Sequence, residues 1–134
     1  MAKILLADDD ADMREICLRF LTSRGHELIV TKDADEAVRM ARVSIPELIL
    51  MDMRMPDQQG GTINDQAGLE AARRIRAIPE LASIPIVALT GHNMVNFKET
   101  ILAAGCCEIL PKPLENLLDL LALIKRYTQP GASV

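Results

Sequence analysis

A chain of 134 residues, 49% apolar and 25% charged, is one domain of ordinary size, and that balance excludes a disordered chain. Only 2% is aromatic, Trp is absent and the net charge is −4, which argues against a base-stacking platform and against direct nucleic-acid binding. No basic leader opens the chain and no apolar run reaches spanning length, so no membrane association and a cytoplasmic location are expected. Cys17, Cys106 and Cys107 lack Cys-x-x-Cys or zinc-like spacing and read as reduced thiols filling core space.

Lys3 to Ala7 (KILLA) predicts a short strand that ends in three acids, Asp8, Asp9 and Asp10. Apolar residues at Met13, Ile16, Cys17, Phe20 and Leu21 then follow the i, i+3, i+4 spacing of a helix with one buried face, stopped by Gly25. Glu27 to Thr31 (ELIVT) predicts a second strand. Asp33 and Glu36 form a capping box for a helix through Val43 with Ala34, Ala37, Val38 and Ala41 inward.

Pro46 ends that helix, and Leu48 to Met51 is a fully apolar third strand delivering Asp52. Asp57 to Ala67 (DQQGGTINDQA) has no apolar periodicity and reads as a loop, long for a strand-to-helix connection. Helical spacing resumes at Leu69, Ala72 and Ile75. Ile84 to Leu89 predicts a fourth strand leading to Thr90 and Gly91, and Met94 to Ala104 a fourth helix. Glu108 to Leu110 predicts a fifth strand before Pro111, Lys112 and Pro113, and Leu114 to Tyr127 a last helix. Five strand-then-helix units imply a parallel sheet covered on both faces, since parallel neighbours need crossovers.

In such a sheet the ligand site lies beyond the carboxyl ends of the strands. There the chain places Asp8, Asp9 and Asp10 after the first strand, Asp52 after the third, Thr90 after the fourth and Lys112 after the fifth. Carboxylates crowded into one concavity raise each other's pKa and call for a cation; oxygen donors without His or Cys select Mg²⁺ or Mn²⁺ over zinc. A nearby lysine and a threonine hydroxyl complete a site suited to a phosphoryl group, and Gly91 leaves it room.

These residues carry a resemblance. ILLADDD at the first strand, LILMDMRMP at the third, IVALTG at the fourth and LPKP before the last helix resemble receiver domains of the two-component response regulator family, over essentially the whole chain. The resemblance implies a flavodoxin-like, doubly wound sheet of order 2-1-3-4-5, a receiver spanning residues 1–128 and a flexible tail at 129–134. It implies Asp52 as phosphoacceptor, a metal held by Asp8, Asp9, Asp52 and the backbone carbonyl of Arg54, and Thr90 and Lys112 as switch hydroxyl and phosphate-pairing lysine. The Lys112 to Pro113 bond is then expected to be cis. The implied partner is a histidine kinase or histidine phosphotransfer protein, whose phosphohistidine Asp52 attacks. The implied output is a shift of the surface formed by the fourth helix, fifth strand and fifth helix, with no conventional substrate turned over.

Three departures from the family pattern stand out. Where the family carries an aromatic three positions before the switch lysine, this chain has Ile109. Eleven residues separate Pro56 from Gly68, a segment expected to screen an acylphosphate from water, to shape donor docking, or to be a tolerated surface insertion. The positions two after the acceptor and two after the threonine, which tune hydrolysis in the family, hold Arg54 and His92, and slow dephosphorylation is the expectation. In the last helix Leu114, Leu117, Leu118, Leu121 and Ile124 make the expected buried stripe, while Leu120, Leu123 and Tyr127 widen the apolar arc to roughly 220°, where one buried face needs about 100°. They are therefore expected to meet a downstream partner or a second copy.

Three rival readings fit the sequence less well. A phosphatase of the haloacid dehalogenase class needs an acid two residues after its nucleophile, where Arg54 stands. A flavodoxin-like cofactor binder needs a Gly, Ser or Thr-rich loop after the first strand, where three aspartates stand. A receiver-like docking module acting without phosphorylation fits Ile109 but leaves the five site residues unused.

Overall fold

The computed structural model describes residues 2–91, 97–114 and 116–128. In chain order the elements are β1 (Lys3–Ala7), α1 (Ala11–Thr22), β2 (Glu27–Thr31), α2 (Ala34–Ser44), β3 (Leu48–Asp52), β4 (Met55–Pro56) and β5 (Ile63–Asn64). There follow α3 (Ala67–Arg76), a 3-10 turn (Pro79–Leu81), β6 (Ile86–Thr90), α4 (Lys98–Ala103), β7 (Glu108–Pro111) and α5 (Leu117–Thr128). The five longer strands form one parallel sheet in the order β2-β1-β3-β6-β7, while β4 and β5 pair only with each other, so the expected order is borne out.

Strand side chains alternate between two apolar layers, as the two-residue period of a strand requires. Leu5, Ala7, Ile49, Met51, Ile86 and Ala88 face the side covered by α2, α3 and α4. Ile4, Leu6, Leu48, Leu50, Val87 and Leu89 face the side covered by α1 and α5. Burial on both faces is why these strands read as unbroken apolar runs, and β3 is buried at every position. The N-cap at Asp33 forms, its side chain accepting from the Glu36 amide at 2.8 Å, while Glu36 reaches one residue past the cap and accepts from the Lys32 amide at 2.8 Å.

Four expectations need correction. Residues 57–67 are not a bare loop: Pro56 pairs with Ile63 and Met55 with Asn64 in a small antiparallel hairpin. Two-residue strands carry no periodicity to read. In α5, Leu120 and Leu123 are buried beneath the helix, and Leu118, expected inward, is 60% exposed, so Leu120 and Leu123 are core and not a partner surface. The run LLDLLALI offers two apolar stripes, and the helix turns to the one that lets Tyr127 donate to Glu108 Oε1 at 2.6 Å on β7. Tyr127 itself is half-buried against that core. Third, Ile16 on α1 is 50% exposed, leaving Cys17 and Leu21 as that helix's buried residues. Fourth, Cys107 is exposed, whereas Cys17 and Cys106 fill core space as expected.

The last helix also starts later than expected, at Leu117, where Asn116 Oδ1 accepts from the Leu118 amide at 2.9 Å and takes the first turn. His92, the expected start of the fourth helix at Met94, and the tail at 129–134 lie outside the described residues. Among the described residues no helix is long and apolar enough to cross a membrane.

Candidate metal and phosphoryl site

The cleft lies at the carboxyl edge of the sheet, where β1 and β3 are neighbours whose crossover helices leave on opposite faces. β1 delivers Asp8 and Asp9, β3 ends on Asp52, β6 ends on Thr90, and Lys112 follows β7. All of these strands are oily, and the chain turns polar as each leaves the sheet. Asp9, Asp52, Arg54, Thr90, Gly91 and Lys112 line a cleft of about 260 Å³.

Asp8 and Asp52 are buried carboxylates, and one lysine serves both. Lys112 Nζ donates to Asp8 Oδ2 at 2.9 Å and to Asp52 Oδ2 at 3.2 Å. Asp8 Oδ1 accepts from the Asp10 amide at 2.9 Å, and Asp52 Oδ1 accepts from the Arg54 amide at 3.1 Å. Of the two other acids, Asp10 caps α1, its carboxylate accepting from the Asp12 amide at 2.9 Å.

One ammonium does not neutralise this much negative charge. Burial and then the charge of Asp8 push the Asp52 carboxyl up to about 7, against the opposing pull of Lys112 and of the Arg54 amide. For Lys112 burial works downward, but the hydrogen bond it donates to Asp8 and the charges of Asp52 and Asp8 outweigh it and its pKa is raised. The three carboxylates Asp8, Asp9 and Asp52 offer oxygens that lie within 4.8 Å of one another. Hard oxygen donors at that spacing, with a charge deficit, suit a hard divalent cation.

Thr90 is buried, with its carbonyl accepting from the Lys112 amide at 2.7 Å, which ties the ends of β6 and β7 together beside the cleft. The Lys112–Pro113 peptide is cis, as expected. Ile109 is half-buried and, with Thr90, Leu102, Cys107 and Pro111, borders a second cavity of about 500 Å³ on the β7 side. Arg54 turns away from Asp52: its Nε donates to Asp65 Oδ1 at 2.7 Å.

Sequence reasoning missed two residues here. Ile63 lines the cleft and Asp65 holds Arg54, and both come from the segment read as a loop. Neither carries a signal in the sequence, because a single isoleucine in a polar stretch has no period.

The geometry agrees with what comparison finds. The model of the response regulator receiver domain matches residues 4–125. Response regulator MprA of Mycobacterium leprae is 32% identical over 130 residues, covering 96% of this chain and 53% of that protein. The chain thus spans about half the length of that relative. The receiver domain of the sensor histidine kinase PA1611 from Pseudomonas aeruginosa PAO1, solved with a magnesium ion coordinated in its active site cleft, is 30% identical with a TM-score of 0.81. That match covers 95% of this chain and 97% of that one. Vibrio cholerae chemotaxis protein CheY4 is 28% identical with a TM-score of 0.82, covering 95% and 98%. A match over nearly the whole chain, on a fold whose strand ends gather these carboxylates, places the protein in the response regulator receiver domain family.

Proposed function

We propose that this receiver domain works by accepting a phosphoryl group on Asp52 from a phosphohistidine of a kinase or phosphotransfer protein. The observation that carries the reading is the placement of Asp52 within hydrogen-bonding distance of Lys112, in a cleft shared with Asp9 and Thr90 and beside buried Asp8. In the step, an Asp52 carboxylate oxygen bonds to phosphorus while the phosphorus–nitrogen bond breaks and its electron pair returns to the donor imidazole. Lys112 sets its charge beside the incoming oxygens, and Thr90, which lines the same cleft, donates its hydroxyl to one of them.

Asp8, Asp9, Asp52 and the Arg54 carbonyl are the groups that would hold a divalent cation, Mg²⁺ or Mn²⁺, which when bound supplies positive charge against the carboxylates and the phosphoryl oxygens. The magnesium in the PA1611 receiver supports that assignment. The domain turns over no separate substrate on this reading. It acts in the cytoplasm as residues 1–128, and its readout is a partner-facing surface on α4, β7 and α5.

The test is mass measurement after incubation with phosphoramidate and Mg²⁺, on wild type and on Asp52→Ala. A phosphoryl adduct on wild type that Asp52→Ala lacks is the expected result; no adduct on wild type overturns the reading and favours a docking module.

A further inference from the structure

The residues between Pro56 and Gly68 set one apolar side chain against the acceptor cleft. Ile63 pairs with Pro56 across the hairpin and lines the cleft with Asp9, Asp52 and Arg54. It belongs to neither apolar layer and is 49% exposed, so the core does not account for it.

The hairpin that carries it is fastened on several sides. Arg54 Nε donates to Asp65 Oδ1 at 2.7 Å, Asn64 Nδ2 donates to Asp57 Oδ2 at 2.8 Å, and the Asp35 amide at the start of α2 donates to the Asp57 carbonyl at 2.9 Å. Its root is sunk in the core through Met53 and Met55, both fully buried. Arg54 therefore touches the acceptor through its amide and holds the hairpin through its guanidinium.

Resting on the reading of Asp52 as phosphoacceptor, we propose that Ile63 is an apolar wall that keeps water from phospho-Asp52 and lengthens its life. In hydrolysis a water oxygen bonds to phosphorus, the phosphorus–oxygen bond to Asp52 breaks with its electron pair left on the carboxylate, and inorganic phosphate leaves with the water's proton passing to solvent. The attacking water has to be held in the cleft by groups that hydrogen-bond to it. A branched hydrocarbon offers none and occupies the space of the waters it replaces. Docking of a donor protein is the weaker account, since docking patches need contiguous apolar area and Ile63 stands among charged residues.

The test loads wild type, Ile63→Ala and Ile63→Leu with phosphoramidate and Mg²⁺, removes the donor, and follows loss of the adduct by mass. Both variants are at a half-exposed position outside the two apolar layers. The expected result is an Ile63→Ala adduct that decays at least about threefold faster, with Ile63→Leu within about twofold of wild type. Equal lifetimes for wild type and Ile63→Ala overturn the wall, as does an Ile63→Leu adduct that decays as fast as Ile63→Ala. A change in loading rate without a change in decay also overturns it. Absence of any adduct on wild type overturns the acceptor reading and this inference together, whereas an adduct with unchanged decay overturns only the inference.

Discussion

Lys112 Nζ sits 2.9 Å from Asp8 Oδ2, closer than its 3.2 Å contact with Asp52 Oδ2. The two residues are 104 positions apart, and the contact joins the end of β1 to the end of β7. Without a cation, the lysine is the one side chain that holds the two buried carboxylates together among the described residues.

Replacing Lys112 with Ala strands two facing carboxylates. Removing one partner of a fully buried pair costs about 3–5 kcal/mol. The Lys112 side chain is 22% exposed, so a loss of about 2 kcal/mol in metal-free protein is expected. Urea unfolding in chelator measures it, and added Mg²⁺ restores most of the difference.

Asp52 makes metal-free stability fall as pH rises. Burial, then Asp8, raise its folded pKa to about 7 from the ordinary carboxyl value of 3.8, so the folded state holds the proton more tightly than the unfolded chain does. The stabilisation this gives is complete below the unfolded value and is lost as pH climbs through about 7, by up to about 4 kcal/mol. Thermal melts in chelator between about pH 5 and about pH 8 are expected to fall, and Asp52→Asn flattens the trend. Mg²⁺ competes with the proton, so its stabilising effect grows over the same window.

The contrast between Asp52 and Ile63 shows what a sequence can reveal about this site. Asp8, Asp52, Thr90 and Lys112 each stand where an apolar strand run stops, so burial pattern alone puts them on one edge of a parallel sheet. Ile63 and Asp65 reach the same cleft through a hairpin of two-residue strands, whose pairing is made across the chain and leaves no local pattern. The helices divide in the same way. Alanines at 34, 37 and 41 fix the inward face of α2, because its other positions are mostly polar. In α5 seven of the first eight residues are apolar, and the rotation is marked instead by the hydrogen bonds of Tyr127 and Arg126 to Glu108.

Gly68 tests how closely α3 must approach the acceptor strand. A Cβ there would overlap the Asp52 carbonyl and lie 2.6 Å from Met53 Cα, and both are backbone atoms that cannot swing aside. The helix gain of about 1 kcal/mol that alanine brings is outweighed, and Gly68→Ala is expected to lose about 1–3 kcal/mol net. Because the clash falls on the peptide that carries Asp52, phosphoryl loading should fall as well. Urea unfolding gives the first quantity and adduct yield the second.

The rotation of α5 is tested by two glutamate substitutions, one on its buried side and one on its exposed side. Leu123 is 2% exposed and packs in the layer with Leu120, Ile124 and Leu50, so Leu123→Glu places an unpaired carboxylate among hydrocarbon. A loss of at least about 3 kcal/mol, or failure to fold, is expected. Leu118 is 60% exposed, and Leu118→Glu should stay within about 0.5 kcal/mol of wild type. Had Leu118 been the inward residue, as the i, i+3, i+4 stripe from Leu114 suggested, the two effects would exchange. Urea unfolding of both variants decides between the rotations, and a tolerated Leu123→Glu with a damaging Leu118→Glu would return Leu120 and Leu123 to the surface.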